Sequence, residues 1–158
     1  MKKIKLSQGK YALVDDEDFE YLNNYKWSAL KDNKTYYAVS SLIIDPVTKK
    51  KKAIKMHRVI MKTPKGMDTD HINGDGLDNR RENLRVCTHA ENSRNRGINK
   101  NNTSGYKGVY WKKDRKKWAA QIRNNGKVVG LGGFDRKEQA YAAYCQAAKE
   151  FYKDFAKI

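Results

Sequence analysis

Short runs of alternating apolar and polar residues dominate the first third of the chain, and such alternation predicts strands. Residues 4–6 and 11–14 flank a Ser-Gln-Gly-Lys turn, so a β-hairpin is expected here. The acidic residues 15–18 precede apolar side chains at helical spacing, which predicts a short helix. The amino-terminal region is therefore expected to be rich in β-structure, with further strands at residues 27–30, 36–44 and 53–56 and turns at residues 31–35 and 45–52.

A second helix is predicted at residues 57–61, where Pro64 and Gly66 follow and end it. Its first residue, His57, lies beside the apolar Met56 and Val59. A single histidine in such surroundings is typical of a packed, hydrogen-bonded side chain. We therefore interpret His57 as structural.

The last third of the chain shows the same alternation, followed by one long helical pattern. Strands are predicted at residues 106–112, 118–123 and 127–131. Asp135 is the predicted helix cap, and Glu138 completes a capping box. Small apolar residues at helical spacing let a helix lie close to a sheet, so a three-stranded sheet packed on one helix is expected. These residues are Ala140, Ala143, Tyr144, Ala147, Ala148 and Phe151.

Acids, amides and one central imidazole are concentrated in residues 67–96, at a density that core packing does not require. Asp70 and His71 place a hard oxygen ligand next to a base that titrates near neutral pH. Glycines and turn formers make residues 73–79 a tight, hydrogen-bonded loop. Residues 82–95 are predicted to be helical after a brief apolar insert. The Asp-His pair beside such a loop favours metal-assisted hydrolysis.

Two other kinds of metal site fit this stretch poorly. A calcium loop of the EF-hand type that starts at Asp70 would put Ile72 and Gly74 at ligand positions, and no Glu closes it. A structural zinc site is disfavoured because Cys87 and Cys145 stand alone and far apart. Two alternatives stay open: a polar turn that only stabilises the fold, and a former hydrolytic site that now only binds its ligand.

The chain has 34 lysines and arginines against 18 acidic residues, so its net charge is +16 and a polyanionic partner is expected. A membrane surface would attract the same charge, but no apolar run approaches the roughly 20 residues of a membrane span and no signal peptide is recognised. Nucleic acid is the predicted partner, and the cysteines are expected to be reduced thiols. The lysines of residues 49–52 form either a solvated hairpin tip or a contact with a phosphate backbone.

The polar stretch contains three runs of diagnostic residues: DHINGD from Asp70, LDNRRENLR from Leu77 and THAEN from Thr88. In this order and spacing they resemble the HNH nuclease motif in the form found in phage and intron-encoded homing endonucleases. The resemblance implies two strands and a helix that hold one divalent cation. This ββα-metal core is expected at about residues 56–96.

By position, the resemblance implies that Asp70 is a metal ligand and that His71 is the general base that deprotonates the attacking water. Asn83 would hold the loop so that the imidazole points correctly. Asn92 would be the second metal ligand, and His89 competes with it for that role. The expected cofactor is one divalent cation, Mg²⁺ with Mn²⁺ as the alternative, because hard oxygen ligands leave most coordination positions to water and phosphate. No small-molecule organic cofactor is expected.

The carboxy-terminal segment contains the runs YKGV, WAAQIR, LGGF and AYCQAA, and they resemble the DNA-binding domain of plant ethylene-response factors. In that family a three-stranded sheet lies in the major groove. This chain has Tyr110, Gln121 and Gly130 where the plant domains have Arg, Glu and Trp, so their target sequence does not transfer. Arg123 is the strongest candidate for a guanine contact. The residues implied to face DNA are Lys107, Tyr110, Lys112, Gln121 and Arg123.

These patterns predict an α+β protein with a nuclease domain at residues 1–96, a linker at 97–104 and a DNA-binding domain at 105–158. The predicted function is a metal-dependent, site-directed endonuclease that, as a monomer, nicks one strand of double-stranded DNA. It would act in the cytoplasm of a bacterial host and be encoded by a phage or mobile element. Two alternatives stay open. One is a regulator that binds DNA without cutting it. The other is an RNA hydrolase, which is disfavoured because a module that binds in the major groove cannot enter the narrow major groove of A-form RNA.

Overall fold

A computed structural model describes residues 1–32, 35–45, 48–156 and 158 of the chain. The fold is α+β and divides into two compact units, an amino-terminal unit of Met1–Asn92 and a carboxy-terminal unit of Ser93–Ile158. Each unit has its own buried apolar cluster. In the described part of the chain, no helix has the length and apolar character needed to cross a membrane.

The amino-terminal unit begins with the predicted hairpin, in which β1 (Lys2–Lys5) pairs antiparallel with β2 (Tyr11–Val14). The predicted helix is also confirmed as α1 (Asp16–Asn23), which has three acidic residues in its first turn. Alternate residues of the hairpin face inward. Val14 and Leu22 are fully buried, so hairpin and helix share one core.

The next three strands form an antiparallel sheet in the order β3 (Ser28–Asp32), β4 (Thr35–Asp45) and β5 (Lys50–Lys55). Helix α2 (Met56–Ile60) follows β5 directly. The predicted turn at residues 45–52 is wrong at its end, because Lys50, Lys51 and Lys52 are strand residues paired with β4. The lysines of 49–52 are exposed. Residues 33, 34, 46 and 47 of the two predicted turns lie outside the described residues.

The polar stretch forms a small sheet of β6 (Asp68–His71) and β7 (Leu84–Cys87), followed by α3 (His89–Arg94). A 3₁₀ turn at Arg81–Asn83 leads into β7. The prediction of a helix from residue 82 is therefore wrong. Leu84 and Cys87 are buried in a strand that pairs with β6. The backbone hydrogen bonds of this segment are made to the neighbouring strand and not within a helix. Two strands and a short helix confirm the ββα arrangement.

The carboxy-terminal unit is an antiparallel sheet in the order β8 (Val109–Lys112), β9 (Lys117–Asn124) and β10 (Lys127–Phe134). Helix α4 (Lys137–Tyr152) packs on one face of this sheet. Its inward side chains include Ala140 and Ala148, both fully buried, which allow the close approach predicted from the sequence.

Two local features of this unit differ from the predictions. The helix cap is Arg136, whose backbone N–H donates to Oε1 of Gln139 at 3.3 Å, and not the predicted pair Asp135 and Glu138. Ser104, at the end of the predicted linker, is buried, and its Oγ lies 2.8 Å from the carbonyl oxygen of Val109. The end of that segment is thus part of the folded unit.

Candidate active site and nucleic-acid interface

Asp70 and His71 are the last two residues of β6, and both are buried, with 7% and 5% of their surface exposed. Successive strand residues point to opposite faces of a sheet. Asp68 and Asp70 therefore share one face of β6, while Thr69 and His71 share the other. A carboxylate and an imidazole thus lie on the two sides of one strand end.

Three side chains contact the imidazole of His71, one from the loop that follows β6 and two from earlier elements of the fold. Its Nε2 lies 3.3 Å from Oδ1 of Asn79. Its ring contacts the rings of Tyr37 and His57, with centroid distances of 5.8 and 4.9 Å. Burial lowers the pKa of His71, and the Asn79 contact and the carboxylates of Asp70, Asp75 and Asp78 offset this only in part. The imidazole is therefore neutral near pH 7 and can accept a proton.

On the other face of β6, Asp70 forms an ion pair with Arg85, its partner residue on β7. Nη2 and Nε of Arg85 both donate to Oδ2 of Asp70, at 2.7 and 3.0 Å. Both side chains are mostly shielded from solvent. A guanidinium therefore balances the charge that this buried carboxylate carries.

Asp68 connects the same face of β6 to helix α3. Its Oδ2 accepts a hydrogen bond from Nδ2 of Asn92 at 3.1 Å and lies 3.0 Å from Nδ1 of His89. The hydrogen bond from Asn92 and then the contact with His89 lower the pKa of Asp68. Because the amide nitrogen of Asn92 faces Asp68, its oxygen is the ligand atom that this side chain offers to a cation. The side chain of His89 is 79% exposed.

The donor set suits a hard cation that keeps most of its own water. Within residues 1–32, 35–45, 48–156 and 158, no three His, Cys, Asp or Glu side chains are grouped as a metal site. The residues that could hold a cation are Asp70 and Asn92, the two expected from the sequence, and Asn92 is hydrogen-bonded to Asp68. Mg²⁺ binds through one or two carboxylates and keeps several waters or phosphate oxygens, so this set fits it.

Asn83 holds the loop between the two strands. Its Oδ1 accepts a hydrogen bond from the backbone N–H of Asn73 at 3.0 Å, and its Nδ2 donates to the carbonyl of Asp78 at 2.8 Å. Asp78 in turn pairs with Arg80, which lowers the pKa of that carboxyl group. These bonds keep residues 73–83 compact at the end of β6.

The sequence did not identify the side chains that surround His71. Asn79 is the last residue of the predicted loop of residues 73–79, and that position is the only signal that the sequence offers for it. Tyr37 carried no signal, because it is an aromatic residue in a strand far from the motif. His57 was interpreted as structural, and its contact with His71 depends on the tertiary fold.

Four of the five residues expected to face DNA share one surface of the carboxy-terminal sheet. Tyr110 pairs with Ala119 in the register of β8 and β9, so Tyr110, Gln121 and Arg123 lie on the same face, opposite to the face that packs on α4. All three are exposed, and Lys112 is half-buried. A cleft of about 500 Å³ opens on this surface. Its lining includes Tyr110, Lys112, Arg115, Lys117, Gly130 and Gly132.

Lys107 is placed differently from the other four. Its ammonium group donates to the carbonyl oxygens of Arg94 and Arg96, both at 2.7 Å. A lysine near the last carbonyls of a helix is a favourable electrostatic arrangement. Lys107 therefore stabilises the segment that follows α3.

Comparison with known proteins adds independent information on both units. A family model described as HNH endonuclease matches residues 55–94, and a model described as AP2 domain matches residues 104–153. Protein 3.8 of Escherichia phage T7 is 36% identical over 95 residues, which cover 60% of this chain and 78% of that protein. A protein named HNH endonuclease from Acanthamoeba polyphaga mimivirus is 28% identical over 155 residues, covering 94% of this chain and 74% of its own length. No solved structure matches this chain significantly.

Proposed function

Because this chain belongs to the HNH endonucleases and also carries an AP2 domain, we propose that it nicks one strand of double-stranded DNA at sites selected by its carboxy-terminal unit. The observation that carries this proposal is the end of β6, where a buried carboxylate and a buried neutral imidazole are adjacent. A non-cleaving DNA binder has no evident use for that pair.

The proposed reaction is hydrolysis of a phosphodiester with His71 as the general base. The imidazole takes one proton from a water molecule, and the resulting hydroxide forms a bond to phosphorus. The bond between phosphorus and the 3′ oxygen breaks, and the departing oxygen takes a proton from solvent. The imidazolium then releases its proton to solvent, so that one water is consumed in all, and the products carry a 5′ phosphate and a 3′ hydroxyl group.

Asp70 and Asn92 are the proposed ligands of a divalent cation, Mg²⁺ in the first instance. Such a cation would neutralise charge that develops on the phosphate and on the departing oxygen. The side chains of β6 alternate between two faces, and this supports separate roles for the base and the cation. In an in-line displacement the attacking and departing oxygens lie on opposite sides of phosphorus. Asp70 and His71 face opposite sides of the strand end on which the phosphate would sit.

Asn83 is proposed to act through the loop and not on the DNA. Its two hydrogen bonds join residue 73 to residue 78, across the turn that follows His71. A loop fixed in this way keeps the end of β6 from fraying. The proposed catalytic centre thus has His71 as the base and Asn83 as the residue that positions its loop, with Asp70 and Asn92 as cation ligands.

The carboxy-terminal unit is proposed to supply affinity and register on duplex DNA. Tyr110, Lys112, Gln121 and Arg123 share an exposed sheet face, and a twisted sheet of this kind can enter the major groove. We propose a nuclease domain at residues 1–96, a linker at 97–104 whose last residue, Ser104, packs into the carboxy-terminal unit, and a DNA-binding domain at 105–158. A monomer with one nuclease centre cuts one strand per binding event, in the cytoplasm of a host cell.

The test uses supercoiled plasmids that carry randomised inserts. They are incubated with the wild-type protein or with the His71→Ala variant, in the presence of Mg²⁺ or of EDTA. Open-circular product is expected only from the wild-type protein in Mg²⁺, while both proteins retard the same DNA in a gel. Equal cutting by both proteins, or cutting in EDTA, would overturn the mechanism. Binding without cutting by both would favour the regulator.

A further inference from the structure

Helix α3 carries the proposed ligand Asn92, yet it takes no part in the buried core. It has six residues, none of them buried, and Ala90 is its one apolar side chain. Its first turn is closed locally, because the backbone N–H groups of Thr88 and Glu91 donate to each other's side chains at 2.8 and 3.2 Å. A helix of this length is marginal by itself. Its position therefore depends largely on polar contacts with the rest of the fold.

Asp68 on β6 supplies two such contacts through one oxygen atom. Its Oδ2 accepts a hydrogen bond from Nδ2 of Asn92 at 3.1 Å and lies 3.0 Å from Nδ1 of His89. His89 and Asn92 are three positions apart, so they lie on the same side of the helix. Asp68 is two residues before Asp70 and shares its face of β6. One carboxylate thus joins the strand and the helix that carry the two proposed cation ligands.

The contact with Asn92 is the more important of the two. The side chain of His89 is 79% exposed, so water can replace its contact with Asp68 at little cost, whereas Asn92 is half-buried. The hydrogen bond from Asn92 is also the largest cause of the lowered pKa of Asp68. Asp68 is therefore ionised near pH 7, and an ionised carboxylate only accepts hydrogen bonds. If the amide of Asn92 turned over, two acceptor oxygens would face each other.

We propose that Asp68 is a positioning residue of the cation site: it attaches α3 to β6 and presents the amide oxygen of Asn92 to the cation that Asp70 also binds. The inference rests on the proposed roles of Asp70 and Asn92 as cation ligands. Asp68 acts through Asn92 and does not bind the cation itself. Loss of a group that orients a metal ligand typically lowers metal affinity about 10- to 100-fold.

The orientation of Asn92 is measured by NMR of its side-chain amide group, in the protein without DNA or metal. The signals that vanish in Asn92→Ala identify this group. One of its amide protons should exchange with water more slowly than those of Asn125, an exposed turn residue. The difference should disappear in Asp68→Ala. Exchange as fast as that of Asn125 in the wild-type protein would overturn the inference.

Binding of Mn²⁺ to the free protein, followed by the electron paramagnetic resonance signal of the unbound ion, separates positioning from charge. Asp68→Ala and Asn92→Ala should each raise the dissociation constant about 10- to 100-fold. If Asp68 acts through Asn92, adding Asp68→Ala to Asn92→Ala should raise it by no more than a further factor of about 2 to 3. His89→Ala is the matched control, because it removes the other contact to the same oxygen. It should change the dissociation constant little.

The outcomes distinguish this inference from the proposed function. Additive effects in the double variant would show that Asp68 binds the cation or acts through its charge, and would overturn the inference, as would unchanged Mn²⁺ binding in Asp68→Ala. Unchanged binding in Asn92→Ala, or no binding of Mn²⁺ by the wild-type protein, would instead refute the proposed cation site. If Asp68→Ala fails to fold, Asp68→Asn takes its place in the cycle, because it keeps the shape of the side chain.

Discussion

The imidazole of His57 stands at 89° to the imidazole of His71, with the two ring centroids 4.9 Å apart. Nδ1 of His57 is buried and has no hydrogen-bond partner among the residues that the structure describes. A buried polar atom without a partner costs about 1 to 3 kcal/mol of stability. Burial, and then the nearby charges of His71, Lys55 and Arg58, lower the pKa of His57 to about 3. His57 therefore stays uncharged beside the proposed base.

The buried His57 makes stability depend on pH. Its pKa in the folded protein is about 3, below the ordinary value of 6.5, so its contribution is fully present above about pH 6.5 and is lost as the pH falls toward 3. Between about pH 7.5 and pH 5 the wild-type protein should lose about 2 kcal/mol of unfolding free energy through this one group.

Urea unfolding of the wild-type protein and of His57→Phe at the two pH values checks this prediction. Phe keeps an aromatic ring and does not titrate, so the variant should lose less stability than the wild-type protein on acidification. The other groups that surround His57, among them His71 and Asp68, are common to both proteins. An equal loss in both proteins would show that His57 is not buried in its neutral form.

Gly76 lets the motif loop approach strand β4. A Cβ atom at this position would lie 2.4 Å from the carbonyl oxygen of Tyr36 and 2.7 Å from ring carbons of Tyr37. Gly76→Ala should therefore destabilise the protein by about 1 to 3 kcal/mol and slow cleavage, because the Tyr37 ring contacts His71. Thermal unfolding and cleavage rates measure both effects. Gly97→Ala is the matched control: nothing lies within 4 Å of its Cβ, and it should be neutral.

Asn92 and His89 both contact Oδ2 of Asp68, so the two alanine variants remove a contact to the same carboxylate. If Asn92 is the cation ligand, Asn92→Ala should raise the Mg²⁺ concentration for half-maximal cleavage about 10- to 100-fold. His89→Ala should change it little, because the His89 side chain is largely exposed. Metal titrations of cleavage make the comparison. A larger effect of His89→Ala than of Asn92→Ala would show that His89 is the second cation ligand.

Two variants of the exposed carboxy-terminal sheet face should distinguish recognition of DNA bases from contact with the DNA backbone. Arg123→Ala should cost about 1 to 3 kcal/mol of binding to the preferred site and relax the base preference at one position. Lys112→Ala should weaken binding to all sequences alike and reduce the slope of affinity against salt by about 1. Binding to a randomised duplex library at several salt concentrations measures both. Identical behaviour of the two variants would exclude a base contact by Arg123.

The sequence predicted most of the secondary structure of this protein from local patterns. The hairpin, most of the strands and α4 follow from alternation, helical spacing and turn residues within a few positions of one another. The strand Leu84–Cys87 was missed because four residues carry too short a pattern, and its pairing with β6 depends on residues more than ten positions away. The sequence predicts the cap at Asp135 because aspartate is a preferred N-cap residue, whereas the helix is capped by the neighbouring Arg136.

The sequence indicates candidate cation ligands and a candidate base, but not the side chains that pack around that base. The order and spacing of the motif pointed to Asp70, His71, Asn83 and Asn92. Tyr37 and His57 reach His71 only because the β3–β4–β5 sheet and α2 pack beside β6, and no local pattern records that contact. The same holds for Lys107, whose ammonium is engaged by carbonyls more than ten residues earlier in the chain.

The most direct test of the account is the single-turnover cleavage rate of His71→Ala on a duplex that contains a mapped nicking site, in saturating Mg²⁺. Loss of a general base should slow the chemical step about 10²- to 10⁴-fold. The dissociation constant for the same duplex should stay unchanged, because His71 is buried in the nuclease unit. A rate within a few-fold of the wild-type rate, at equal binding, would contradict the claim that His71 activates the attacking water.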